Sequence, residues 1–71
     1  KIGHPEAEYS LGILYVQPDF EHRDFAYSLA WLYKAFEGGV VQAQENITQI
    51  EDHFDSELVN KAKKIKQSLV N

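Results

Sequence analysis

Residues 23–37 run RDFAYSLAWLYKAFE, and only Arg23, Asp24, Ser28, Lys34 and Glu37 among them are polar. Phe25, Leu29, Leu32 and Phe36 recur at i, i+4, i+7 and i+11, which is one face of a helix. Ala26, Tyr27, Ala30, Trp31, Tyr33 and Ala35 cover most of the remaining surface. A helix that is apolar nearly all round is buried on more than one side. Other elements must therefore pack on both of its flanks, and the rest of the chain has to supply them.

Upstream, Pro5 suits the first turn of a helix, where its missing N–H is not needed. Glu6 and Glu8 sit near the positive end of that helix's dipole. The helix is expected to run to about Val16, because Gln17-Pro18-Asp19 breaks it. It carries two apolar stripes on opposite sides: Ala7, Leu11 and Leu14 on one, Tyr9, Ile13 and Val16 on the other. The first stripe is expected to face the partner helix across a short loop, making an α-hairpin.

Downstream, Gly38-Gly39 closes the apolar helix, since glycine takes the left-handed C-cap conformation without steric cost. A third helix is predicted from about Val41 to His53, with Ala43, Ile47, Ile50 and Phe54 on one face and Glu45, Gln49 and Asp52 opposite. Asp55 or Ser56 can cap a fourth. Its stripe is Leu58, Ala62, Ile65 and Leu69, and its solvent side is Lys61, Lys63, Lys64 and Gln67. No stretch has a strand pattern. The expected fold is all-α: two antiparallel helix pairs stacked as a short α/α superhelix.

Seventy-one residues make one domain, 1–71. The chain starts at Lys1 and holds no methionine, so it is expected to be a piece of a longer protein. Without cysteine it has neither disulfides nor a thiolate zinc site. A net charge of −4, with acids and bases mixed, argues against a general binder of nucleic acid or anionic membrane. No apolar run approaches the ~20 residues of a membrane span, and nothing resembles a signal peptide. A glycine-rich phosphate loop and a nucleophile elbow are both missing, and no Ser–His–Asp spacing stands out. No enzyme activity and no cofactor are expected.

The sequence also repeats itself. Laying residues 39–47 on residues 3–11 superposes glycine, alanine and an aliphatic residue, and Ala43 falls 36 residues after Ala7. Helix-pair periods near this value belong to solenoids, the tetratricopeptide unit having about 34 residues. Ala7-x3-Leu11-Gly12-x2-Tyr15, followed by Asp24-Phe25, Trp31, Lys34-Ala35 and Gly39, resembles the Sel-one-like repeat (SLR) family of the tetratricopeptide clan, over about half of the chain. Residues 16–21 replace the family's glycine-rich loop, and Ser28 stands where alanine is usual. In the second copy Thr48, Glu51 and Gln67 replace the glycine, tyrosine and tryptophan. The resemblance divides the chain into a repeat, 3–38, and a degenerate C-terminal repeat, 39–71, that acts as a capping pair. It implies a non-catalytic scaffold or adaptor for protein or peptide partners.

Gly12 is expected at a close helix approach, because glycine inside a helix otherwise costs about 1 kcal/mol against alanine. Trp31 suits the core, or an exposed anchor for a partner. Tyr9, Ile13 and Val16 are the candidate partner-binding residues. They either pack on a preceding repeat or a second copy, line a groove for a partner, or are buried by a bent hairpin. His4, His22 and His53 lack the i, i+4 pairing of a strong metal site, so no metal is expected. Lys61, Lys63, Lys64 and Lys66 form a solvated face without interleaved aromatics, which argues against nucleic acid. Asn46-Ile47-Thr48 matches a glycosylation sequon by chance spacing. Two further roles stay open: a structural C-terminal cap of a longer solenoid, and a small metal- or phosphate-dependent regulator.

Overall fold

The computed structural model describes residues 4–21 and 23–69. Four helices follow one another, α1 (Pro5–Leu14), α2 (Phe25–Glu37), α3 (Ala43–His53) and α4 (Ser56–Ser68), packed compactly with no strand among the described residues. Gly3, the first glycine of the repeat register, and His22 lie outside the described residues.

Local chemistry sets the helix ends. Pro5 occupies the first turn of α1, with Glu6 and Glu8 beside it. The helix stops at Leu14, two residues before the expected point, because the loop folds back on its last turn. There the Gln17 amide donates to the Leu14 carbonyl at 3.1 Å, and Gln17 Nε2 donates to the Ile13 carbonyl at 3.1 Å. The Asp24 amide closes the loop on the Tyr15 carbonyl at 2.9 Å. Asp24 itself is extended and caps α2, its Oδ1 accepting from the Ala26 and Tyr27 amides at 2.9 and 3.2 Å. So α2 begins at Phe25, not Arg23. At its other end Gly39 takes φ of +109°, the left-handed conformation that favours glycine. Residues 40–42 then form a tight turn, which delays α3 to Ala43 and leaves Val41 70% exposed. Asp55 caps α4 by accepting from the Leu58 amide at 3.3 Å.

The hub of the packing is α2. It packs on α1, on α4 and, less extensively, on α3, while the second pair's main backbone approaches are to α2 rather than to each other. Its buried residues go round the helix: Ala26, Ser28, Leu29, Ala30, Leu32 and Ala35 are each at most 1% exposed. The two-sided burial expected of this helix is thus present, although Phe36 at the end of its stripe is 41% exposed. Ala43, Ile47 and Ile50 of α3 and Ala62 of α4 complete the core with Leu29, Leu32 and Ala35. Tyr9, Ile13, Val16, Tyr33, Phe54, Leu58 and Val59 pack against it half-buried.

The rotation of α1 differs from expectation. Its contact face is Glu8 and Gly12, both buried, and not Ala7, Leu11 and Leu14. Ala7 is exposed, Leu14 is 41% exposed and Leu11 is half-buried. Gly12 is the cause. A Cβ there would lie 2.7 Å from Leu32 Cγ and 3.2 Å from the Ser28 carbonyl, so only glycine permits this crossing. The Ser28 hydroxyl donates to the Gly12 carbonyl at 2.6 Å in a buried setting, which satisfies a group that would be costly unpaired. With Gly12 inward, the helical period carries Tyr9, Ile13 and Val16 toward α3.

Polar tethers join the periphery. Lys34 of α2 pairs with Glu8 of α1 at 3.7 Å, and Lys66 of α4 pairs with Glu37 of α2. The Tyr33 hydroxyl of α2 donates to Glu51 of α3 at 2.5 Å. Burial pushes the Tyr33 ionisation far above its ordinary value, and the hydrogen bond to Glu51 and that carboxylate's charge push it the same way.

Two outcomes follow. Gly12→Ala should lower stability by about 1–3 kcal/mol through overpacking, where an uncrowded helical glycine would gain about 1 kcal/mol. Urea unfolding decides between these, and an unchanged or raised midpoint would refute the close crossing. For Tyr33, the phenol is neutral in both folded and unfolded chains below the usual tyrosine pKa of about 10. Above that, the unfolded chain ionises first, so the tether's contribution declines as pH rises and is gone past the raised folded value. A phenolate absorbance titration should show a component well above the ordinary range, and Tyr33→Phe should remove it.

Candidate functional site

Because Gly12 turns α1 as it does, α1 and α3 stand on either side of α2 with a groove between them. Ile13 and Val16 of the α1 end, Phe25 and Leu32 of α2, and Asn46, Gln49, Ile50, His53 and Phe54 of α3 and its cap line a cavity of about 260 Å³. Leu32 and Ile50 are buried, so they form the floor. Gln49 and His53 are exposed and supply an amide and an imidazole.

Side-chain contacts connect the walls. The Tyr9 hydroxyl donates to Asn46 Oδ1 at 3.1 Å, which links α1 to α3. Farther along, the rings of Phe25 and Phe54 meet at 4.8 Å between centroids, tying the start of α2 to the end of α3. His53 stands edge-on to Phe54 at 5.0 Å, and the Arg23 guanidinium lies 5.6 Å from the Phe25 ring centroid. Phe25 and Phe54 thus meet as a tilted aromatic pair, with a cation over the Phe25 ring.

All three sequence candidates lie together here. Ile13 and Val16 line the groove directly, and Tyr9 is half-buried beside it with its hydroxyl on Asn46. In the sequence Gln49 belongs to the polar face of α3 with Glu45 and Asp52, which argues for a local apolar patch on α1 and not a groove continued on α3, and His53 reads as a surface histidine; the structure instead sets both along the cavity with Ile50 and Phe54. What could have drawn attention to them is their spacing with Asn46 and Ile50, which puts polar and apolar side chains on one edge. Asn46, the sequon asparagine, lies mid-helix with its amide oxygen engaged by Tyr9.

The remaining candidates lie elsewhere. Trp31 is half-buried on α2, and Tyr27 is 38% exposed and stacked on Tyr15 at 5.5 Å. His4 is exposed at the start of α1, and among the described residues no three His, Asp or Glu side chains gather as a metal site requires. Lys61, Lys63 and Lys64 are exposed on α4, while Lys66 turns to Glu37. No helix among the described residues is long and apolar enough to cross a membrane. Compared with known proteins, the chain matches no family model, no curated protein and no solved structure.

Proposed function

We propose that this chain is a non-catalytic protein-interaction module of the SLR type, with the groove between α1 and α3 as its partner-binding surface. The observation that carries the reading is the groove itself: an apolar floor, two opposed helical walls and exposed amide and imidazole groups at the edge. A ready-made trough of this kind receives the side chains of an extended or helical segment. The spacing of Ala7, Leu11, Gly12, Tyr15, Asp24, Phe25, Trp31, Lys34, Ala35 and Gly39 supports the SLR assignment. Several of these residues do structural work of the kind a repeat needs: Gly12 at the helix crossing, Asp24 at the cap, Ala35 in the core and Gly39 at the left-handed turn.

A second observation favours membership in a helical array. The 36-residue offset maps Ala7, Leu11 and Leu14 onto Ala43, Ile47 and Ile50. The latter three are 0%, 4% and 8% exposed in the core shared with α2, whereas on α1 Ala7 and Leu14 are exposed and Leu11 is half-buried. The outward face is where an upstream helix pair would sit if the repeat continued, as stacked repeats cover one another's apolar faces. On that reading the second pair, with its lysine-bearing outer surface, serves as the cap.

Gln49→Trp places a large ring at the exposed mouth without touching the core. In the labelled chain, short leucine-bearing peptides should shift the amide resonances of Ile13, Val16, Gln49 and His53, and Gln49→Trp should weaken that binding about tenfold with little change in melting temperature. Shifts confined to α4 would defeat the assignment.

A further inference from the structure

We propose that the groove takes a partner segment that is apolar at its centre and basic at its ends, an inference that rests on the groove being the binding surface. Charge is divided unevenly over this molecule. Neither α1 nor α3 contains a lysine or arginine, whereas four of the seven basic residues are on α4. On α3, Glu45 and Asp52 lie one turn before and one turn after Gln49, which lines the groove, and both are exposed. On α1, Glu6 lies two turns before Ile13 on the same side and is also exposed. Exposed carboxylates therefore lie on both wall helices, one turn from Gln49 on α3 and two turns from Ile13 on α1.

The helix ends add to this. Val16 follows α1, and His53 and Phe54 end α3, so both C-termini reach the same end of the groove. Each carries about half a negative elementary charge. Arg23 already lies against the face of Phe25 at that end, which shows a cation accommodated there. Among the described residues the other lysines are committed or distant, Lys34 on Glu8 and Lys66 on Glu37, with Lys61, Lys63 and Lys64 on the outer side of α4. An acidic segment, or a phosphate-bearing surface, would meet carboxylates on both sides. At about 260 Å³ the cavity is slightly below the roughly 300 Å³ at which small-molecule pockets begin. It suits one or two aliphatic side chains projecting from a longer segment, with the segment's lysines or arginines reaching the rims.

The test uses the whole chain and three synthetic peptides, each with two leucines one helical turn apart, flanked by lysines, by glutamines or by glutamates. Exposed ion pairs are individually weak, so three of them should favour the lysine peptide over the glutamate peptide by about tenfold at low salt. The preference should shrink as ionic strength rises, since the Debye length falls to about 3 Å at 1 M. Replacing Glu45→Lys and Asp52→Lys together should abolish or invert it. Replacing Lys63→Glu and Lys64→Glu on α4 should leave it intact. Groove shifts of equal strength with all three peptides would overturn the basic preference and leave the groove as the binding surface. No shift with any of them at millimolar concentration would overturn both. Concentration-dependent groove shifts in the free chain, lost on Lys63→Glu, would seat a second copy's α4 in the groove and overturn the assignment to a separate partner.

Discussion

The contact of Gly12 with Ser28 and Leu32 decides the architecture of the α1 side. It brings two backbones together at a spot where no side chain fits, and a buried hydroxyl bridges them. A helix has one free rotation about its axis when it docks, and here glycine fixes it. Once Gly12 faces α2, Tyr9, Ile13 and Val16 can only lie toward α3, and Ala7 and Leu14 can only lie outward. The groove and the outward apolar face are thus two consequences of one small residue.

Close approach also explains the composition of the core. Five of its fully buried residues are alanines, at positions 26, 30, 35, 43 and 62, and the bulk comes chiefly from Leu29 and Leu32. Small residues let helices come near, but each buries little apolar area, at about 25 cal/mol per Å². Much of the remaining burial comes from half-exposed side chains such as Tyr33, Phe54 and Leu58 around the rim of the core. A chain of this length hides only about 60% of its unfolded surface, so its margin is narrow. Tethers such as Lys34–Glu8 and Tyr33–Glu51 then matter less for their energy than for holding helices in register.

Legibility in the sequence followed the asymmetry of each helix. The stripes of α3 and α4 have a polar face opposite, so Ala43, Ile47, Ile50 and Ala62 were readable as core, and Asp55 as a cap. The all-round apolar surface of α2 announced its central place. By contrast α1 offered two apolar stripes of nearly equal size, and periodicity cannot choose between them. The choice was in Gly12, whose meaning depends on Ser28 and Leu32, residues that only tertiary structure brings near. Helix starts at 25 and 43 were missed for local reasons: Asp24 spends its carboxylate on capping, and residues 40–42 turn before the helix begins. The groove was legible as the Ile13 and Val16 half alone. Its other half depends on the Tyr9–Asn46 bond and the Phe25–Phe54 pair, which are long-range facts.

The same asymmetry bears on what the surface is for. A helix that needs only one partner carries one apolar face, as α4 does. Having two, α1 exposes the stripe opposite the groove, at the cost of leaving Leu14 41% exposed. Scattered exposed leucines need no explanation. Here, however, Ala7, Leu11 and Leu14 are aligned, and their counterparts 36 residues later are buried in the core around α2. The stripe thus shares its register with a buried interface in the same chain. That coincidence favours a molecule with two separate tasks on one helix: stacking on a neighbour through Ala7, Leu11 and Leu14, and holding a partner along the side of Ile13 and Val16. The helical period sets the angle between those two faces, and Gly12 sets how both are turned relative to α2.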